Sequence, residues 1–400
     1  MSQRPFFSPQ FFAGVSLGLT LAGVLLIVAF LAPSTPLYAQ SSVIAVTSHG
    51  ATCNDRGNDT SAINAAIAAF NKSPPGTILQ FPAGTCRIDG ALTPLTHDGF
   101  IRGTGPNSVI SSSSATADIF SVTTDDPVNF LDLRLVSTAP TRTAGAGIRF
   151  SGSTPSSYNR SSRVGNVVFD GMYDAVVLYS TAGVRVVDCN IINSYHAGVL
   201  KYNNYNKATA DTGDDIVSDS SFDNGGSNDP VAAIFQVSGG GLRISNNKIL
   251  KHRYGYYMRL GTSTSDLIIT GNSFEKQKES AIAFTRSGAA EFGNVVIASN
   301  QVAIVPTFLS VTGNAAWISN LSITGNAIST FATAITLDAG TDYTINGNTF
   351  VSSARGLNPG AAISLGATFP SRVMIGANQV NNYQGTVRSS GASEYSVSRP

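Results

Sequence analysis

Charge is scarce in this 400-residue chain: Asp, Glu, Lys and Arg make up 12%, with 25 basic residues against 24 acidic ones. No basic stripe interleaved with aromatics is present, which argues against a nucleic-acid partner. No block of like charge marks a solvated tail. Cysteine is nearly absent, and Cys53, Cys86 and Cys189 show no Cys/His spacing of a zinc site. Gly103-Thr-Gly105 lacks the third glycine of a dinucleotide loop, Ser108 standing there, and no helix pattern follows. Gly, Ser, Thr and Asn are abundant instead, as turns and exposed strand faces require.

What is present is a repeat. Leu242–Ile249, Leu267–Phe274, Val295–Val302, Leu321–Ile328, Tyr343–Phe350 and Val373–Val380 each hold a β-branched strand, a turn asparagine and an apolar residue. The aligned asparagines are Asn247, Asn272, Asn300, Asn326, Asn348 and Asn378, at gaps of 25, 28, 26, 22 and 30 residues. One strand signal per period of this size means a solenoid, each repeat being one coil that cannot bury its apolar face alone. The asparagine is read as the corner residue, since Asn tolerates left-handed backbone. Stacked at about 4.8 Å, its amide reaches the amides above and below.

A second strand follows each bend with a small-apolar-x-apolar pattern, opening at Ala175, Ala197, Ala232, Gly255, Ala281, Ala334 and Ala362. Weaker first-strand copies precede it near Asn166 and Val184. The expected fold is all-β: a single-stranded right-handed parallel β-helix of about ten coils over residues 95–387, since crossovers between parallel strands are right-handed. Residues 388–400 read as a flexible tail. The continuity of the repeat argues against two domains.

Residues 1–39 read as a separate unit. Arg4 precedes the apolar run Ala13–Ala32, and Pro33, Pro36 and Leu37–Gln40 follow, the order of a secretory signal cleaved after Ala39. Twenty apolar residues also suit an uncleaved anchor, so attachment to a membrane through residues 13–32 stays open. Either way the chain is expected to be exported: secreted, periplasmic or at the cell surface. In an exported chain Cys53 and Cys86 are expected to pair. Cys189 falls at the asparagine-turn position and reads as a buried free thiol.

Residues 40–94 read as an N-terminal cap of strand, helix and strand. Asp59-Thr60 is an N-cap signal before Ile63, Ile67 and Phe70 at helical spacing. Such a helix would cover the open end of the stack and its unpaired strand edges. Gly50–Phe70, Gly76–Ile88 with Phe81-Pro82-Ala83-Gly84, and Ile101–Gly105 together resemble the opening of pectate-lyase-superfamily right-handed β-helix proteins. With the coils, the resemblance covers residues 43–385. It implies the fold and a polysaccharide partner. The superfamily holds lyases, hydrolases, epimerases and phage tailspikes, so it leaves the activity open.

Polar residues concentrate over the middle coils. Taken as outward positions of the second strand, Tyr179, Lys201, Gln236 and Arg259 form one line, and the preceding turns supply Asp174, His196, Asp229, Arg253 and Tyr254, with Tyr257 alongside. β-Elimination on a uronate glycan needs a base for the C5 proton and a cation for the carboxylate. Lys201 or His196 could be the base and Arg259 the cation. No cofactor is required, although Ca²⁺ held by Asp211, Asp214 or Asp215 could share the neutralising role. Gly213-Asp214-Asp215 resembles the paired aspartates of the polygalacturonase family, but that family's Asn-Thr-Asp, Gly-His-Gly and Arg-Ile-Lys segments are missing. The Asp-Pro-His signature of alginate epimerases is missing too, Val231 following Asp229-Pro230. A lyase is the leading expectation, a glycoside hydrolase the next, and a non-catalytic carbohydrate-binding or adhesin-like rod the third. The oligomeric state is not encoded legibly.

Overall fold

The computed structural model describes residues 42–154, 157–202, 213–225, 228–313, 317–353, 360–366, 372–389 and 395–397. The expected signal or anchor, Asp211 and most of the tail lie outside the described residues. Among the described residues, no helix is long and apolar enough to cross a membrane.

Three parallel sheets of 14, 13 and 11 strands stack into a β-solenoid. From Gly99–Arg102 onward each full coil contributes one strand to each sheet, while the two turns before it have no strand in the 11-stranded sheet. The sequence pattern showed two strands per coil because the strand just after the asparagine turn is short, often only three residues: Lys248–Leu250 and Ser273–Glu275 pair in register there. There are also more coils than the ten expected. The first sheet already begins at Val43–Ala45, which pairs with Ile78–Gln80.

The core fills the lumen. Inward side chains stack from coil to coil, as Phe81, Phe120, Phe130 and Phe150 do at ring separations of 6.1, 5.2 and 5.8 Å. The small residue that opens the third-sheet strands has a packing cause. A Cβ on Gly198 or Gly255 would lie 2.6 or 2.4 Å from the rings of Phe222 or Phe274 across the lumen.

The asparagine ladder is complete. Nδ2 of Asn247, Asn272, Asn300, Asn326 and Asn348 donates to Oδ1 of the next asparagine at 2.9–3.0 Å. The left-handed residue is the one before: Asn246, Gly271, Ser299, Gly325 and Gly347 have φ between 55° and 68°. The ladder asparagine is thus selected for its buried amide, the preceding residue for its backbone. Upstream, Ser220 and Cys189 continue the same column, Cys189 N donating to Ser220 Oγ at 3.0 Å.

Helix α1 (Thr60–Phe70) packs Ile63, Ala66, Ile67 and Phe70 against the opening strands. Asp59 does not cap it with its side chain. Its carboxylate instead accepts from the backbone N–H of Thr52 and Arg87 at 2.7 and 3.2 Å, tying the opening segment together. Asn58 Oδ1 takes the Thr60 N–H at 2.9 Å in its place. Cys53 and Cys86 form a disulfide beside it.

Candidate functional site

The strands that matter lie side by side in the third sheet: β1 (Ala146–Ser151), β2 (Asp174–Tyr179), β3 (Ala197–Tyr202), β4 (Ala232–Gln236), β5 (Tyr254–Leu260) and β6 (Ser280–Arg286). Their register corrects two expectations. Asp174 pairs with Ala197, so Ala175 is level with Gly198, not with Ala197. A one-residue slip turns a side chain to the other face of a strand. Lys201 and Gln236 therefore point into the lumen, level with Leu178 and Met258, and are 2% and 1% exposed. Lys201 Nζ meets Asp215 Oδ2 at 2.5 Å, and Gln236 accepts the Tyr256 hydroxyl at 2.7 Å. The expected outward line keeps Tyr179 and Arg259 and loses Lys201 and Gln236.

Asp214 and Asp215 diverge. Asp214 has φ 64° at the corner entering the first sheet and faces a groove of about 580 Å³ with Arg163, Arg185 and Arg243. Asp215, fully buried, also accepts from the Thr181 hydroxyl at 2.6 Å and the Val184 N–H at 2.8 Å. The two neither flank one glycosidic bond nor converge on one calcium ion. Among the described residues, the close group of metal-capable side chains is Cys53, Asp59 and Cys86, and its sulfurs are bonded to each other.

Outside the third sheet the side chains converge. His196 Nδ1 lies 2.8 Å from Asp174 Oδ1. The imidazole stacks on Tyr173 at 4.9 Å and meets Phe235 edge-on at 5.5 Å. Phe235, 4% exposed, is the floor of this surface. Tyr257 stacks on it at 5.1 Å, Tyr254 stacks on Tyr257 at 4.7 Å, and the Arg259 guanidinium lies 5.7 Å from the Phe235 ring. Ala197, Ala232 and Phe235 form an apolar cluster separate from the lumen, with Leu200 and the two tyrosines against it. The result is a shelf of aromatic rings flanked by His196 and Arg259.

Ionic groups frame the shelf. Asp229 accepts from Arg253 at 2.6 Å and Lys278 at 2.8 Å, and these bonds hold its carboxyl below the usual range. The Tyr254 hydroxyl donates to Glu279; burial and that carboxylate push its pKa up. At the other end Arg149 bonds Asp118 at 2.7 Å and the Tyr202 hydroxyl at 3.1 Å, and Tyr202 rests on Tyr179 at 4.8 Å. Burial opposes the charge of Arg149, but Asp118 outweighs it and raises its pKa. Burial also raises the Asp174 pKa, against the pull of His196.

Sequence reading missed Asp118, Arg149 and Phe235. Arg149 was within reach: Gly147-Ile148-Arg149 repeats the small-apolar-x pattern one coil upstream of where the series was begun. Phe235 was hidden by the same slip that turned Gln236 outward.

With three parallel sheets and this corner geometry established, comparison with known proteins decides the family. The description "Right handed beta helix region" matches residues 156–312 and 232–399, more than half of the chain. The chain belongs to the right-handed β-helix family. That agrees with the superfamily resemblance of its opening segment. Among curated proteins, none matches this β-helix by sequence. Solved β-helices do match. The Streptococcus pneumoniae surface adhesin PfbA is 16% identical with a TM-score of 0.70, covering 87% of this chain and 94% of its own. The A-module of the Azotobacter vinelandii mannuronan C-5 epimerase AlgE6 is 16% identical with a TM-score of 0.63, covering 88% and 97%. The catalytic unit of a GH87 α-1,3-glucanase from Streptomyces thermodiastaticus is 18% identical with a TM-score of 0.56, covering 89% and 69%. At these identities the likeness is one of fold, shared by carbohydrate-active enzymes and an adhesin alike.

Proposed function

We infer that the protein holds a polysaccharide along the outer face of the third sheet, and that its activity is β-elimination on an acidic, uronate-containing glycan. The observation that carries this reading is the Asp174–His196 pair beside the shelf of Phe235, Tyr257 and Arg259. A carboxylate accepts, so Nδ1 carries the proton and Nε2 the lone pair of a general base. The C5 proton passes to Nε2, and its electron pair forms the C4–C5 double bond. The C4–O bond breaks, and the leaving oxygen takes a proton from solvent. Arg259 offsets the substrate carboxylate as charge develops. The aromatic rings offer apolar faces to sugar C–H groups while their hydroxyls bond sugar oxygens. Two of the similar solved structures carry names of polysaccharide-active enzymes, which supports a glycan partner. Export through residues 1–39 belongs to the same proposal, and Lys201 has no part in the chemistry.

A second reading, a non-catalytic glycan-binding rod, is favoured by the mutual pairing of Asp118 with Arg149 and of Asp229 with Arg253 and Lys278. The hydrolase reading has lost the Asp214/Asp215 pair on which it rested.

The test is ultraviolet absorbance of unsaturated uronate ends on a polyuronate panel. A rise abolished by His196→Ala and strongly reduced by Asp174→Asn supports elimination at this site. A rise indifferent to His196→Ala would place the chemistry elsewhere, and a flat trace with retained binding would favour the rod.

A further inference from the structure

We propose that the groove takes the end of a glycan chain, not an internal stretch, because it is roofed on one side of His196 and open on the other. This deepens the glycan reading and rests on it.

The roof has two bridges. Arg149 on β1 reaches across β2 to the Tyr202 hydroxyl on β3, 3.1 Å away. Beneath that span lie Asp174 and Val177, 4% and 0% exposed, although Val177 is level in the sheet with outward Arg149. Along the flank, the segment between Ser137 and Ala146 arches past the Tyr173 turn. The Tyr195 hydroxyl, two coils on, donates to Pro140 O at 3.3 Å. Thr143 and Ala144 N–H donate to Ala115 O at 3.0 and 3.3 Å, fixing the arch from the other side.

Arg142 anchors the arch from within. Its guanidinium is buried and donates to the backbone oxygens of Ala117 and Ala144. Nη1 is buried without a hydrogen-bond partner, close enough to Asp118 and Asp174 to feel both charges. Buried donors are rarely left unpaired.

On the other side of His196 the surface opens. Tyr257 and Tyr254 are half-buried, and Arg259 is exposed. A chain lying along β6, β5 and β4 runs into the Arg149–Tyr202 bridge one strand beyond His196. The bond within reach of Nε2 is therefore close to the chain terminus, and cleavage there releases short products.

The experiment is calorimetric titration of the protein with polygalacturonate and polymannuronate fractions of graded length, at equal mass concentration. Chain-end capture predicts that binding sites per unit mass vary inversely with chain length. It also predicts that Tyr202→Phe, which keeps the ring and breaks the bridge, moves the products of cleavage toward longer fragments. Sites per unit mass independent of length would overturn end capture while leaving the glycan reading intact. Absence of binding to every fraction would overturn both.

Discussion

Lys201 and Asp215 form an ion pair inside the solenoid, Nζ to Oδ2 at 2.5 Å, with both side chains almost wholly removed from solvent. Lys201 is the penultimate residue of β3 and Asp215 opens the next first-sheet strand, so the pair ties the end of one strand to the start of the next. Asp215 also bonds Thr181 and Val184 one coil back. Removing one partner of a buried pair leaves an uncompensated charge. Lys201→Ala should cost about 3–5 kcal/mol in denaturant unfolding. The double variant Lys201→Met/Asp215→Asn, which removes both charges and keeps an acceptor for the Val184 N–H, should recover much of that loss, which a catalytic role for Lys201 does not predict.

The asparagine ladder gives a graded prediction. Asn300 Nδ2 donates to Ile269 O at 3.0 Å and to Asn326 Oδ1 at 2.9 Å, while its Oδ1 accepts both the backbone and side-chain N–H of Asn272. Asn300→Ala strips partners from both neighbouring coils and leaves buried groups unpaired, each worth about 1–3 kcal/mol. Asn378 is less buried than Asn300 and sits at the downstream end of the described ladder. Asn378→Ala should lower the unfolding midpoint markedly less than Asn300→Ala does.

His252 makes stability depend on pH. It is buried, Nδ1 donates to Leu250 O at 2.7 Å, and burial lowers its pKa from 6.5 to about 4. The folded pKa is the lower one, so the unfolded chain binds the proton first. This contribution is fully present above pH 6.5 and is lost as pH falls toward about 4. The slope there is about 1.4 kcal/mol per pH unit from this one group. Unfolding free energies measured across that window should lose this slope in His252→Gln.

Cys189 should be inert. Burial pushes its thiol up to about 12, and its sulfur lies against Val187 O and Val164 O. The thiolate is the reactive form. A maleimide reagent should find no thiol in the folded protein and one in denaturant, since Cys53 and Cys86 are joined.

The fold was legible because its rules are local. A buried amide at each corner, a left-handed residue before it and an alternating strand all leave marks within eight residues, as Leu267–Phe274 does. The site was only half legible, for a reason that can be named. Ala175, Gly255 and Ala281 share one row of the third sheet, whereas Ala197 and Ala232 sit one row earlier. Both rows favour small residues, so the sequence pattern does not separate them. The strands aligned through Ala197 and Ala232 are those whose Lys201 and Gln236 were assigned to the wrong face. His196, Asp174 and Arg259 escaped the error: His196 stands at a turn, Asp174 opens β2, and Arg259 is on a correctly aligned strand. Long-range partners such as Asp118 and Arg149, 31 residues apart, leave no local mark.

The most direct measurement of the central claim is the affinity of the protein for polyuronate oligomers, compared between two faces of the rod. Tyr257→Ala and Arg259→Ala alter the third-sheet shelf, while Arg185→Ala and Arg243→Ala alter the basic groove of the first sheet. The account predicts that each shelf variant weakens binding by about tenfold or more, or 1.4 kcal/mol, and that the first-sheet variants bind as the parent does. Unchanged binding in the shelf variants, with loss in Arg185→Ala and Arg243→Ala, would contradict it.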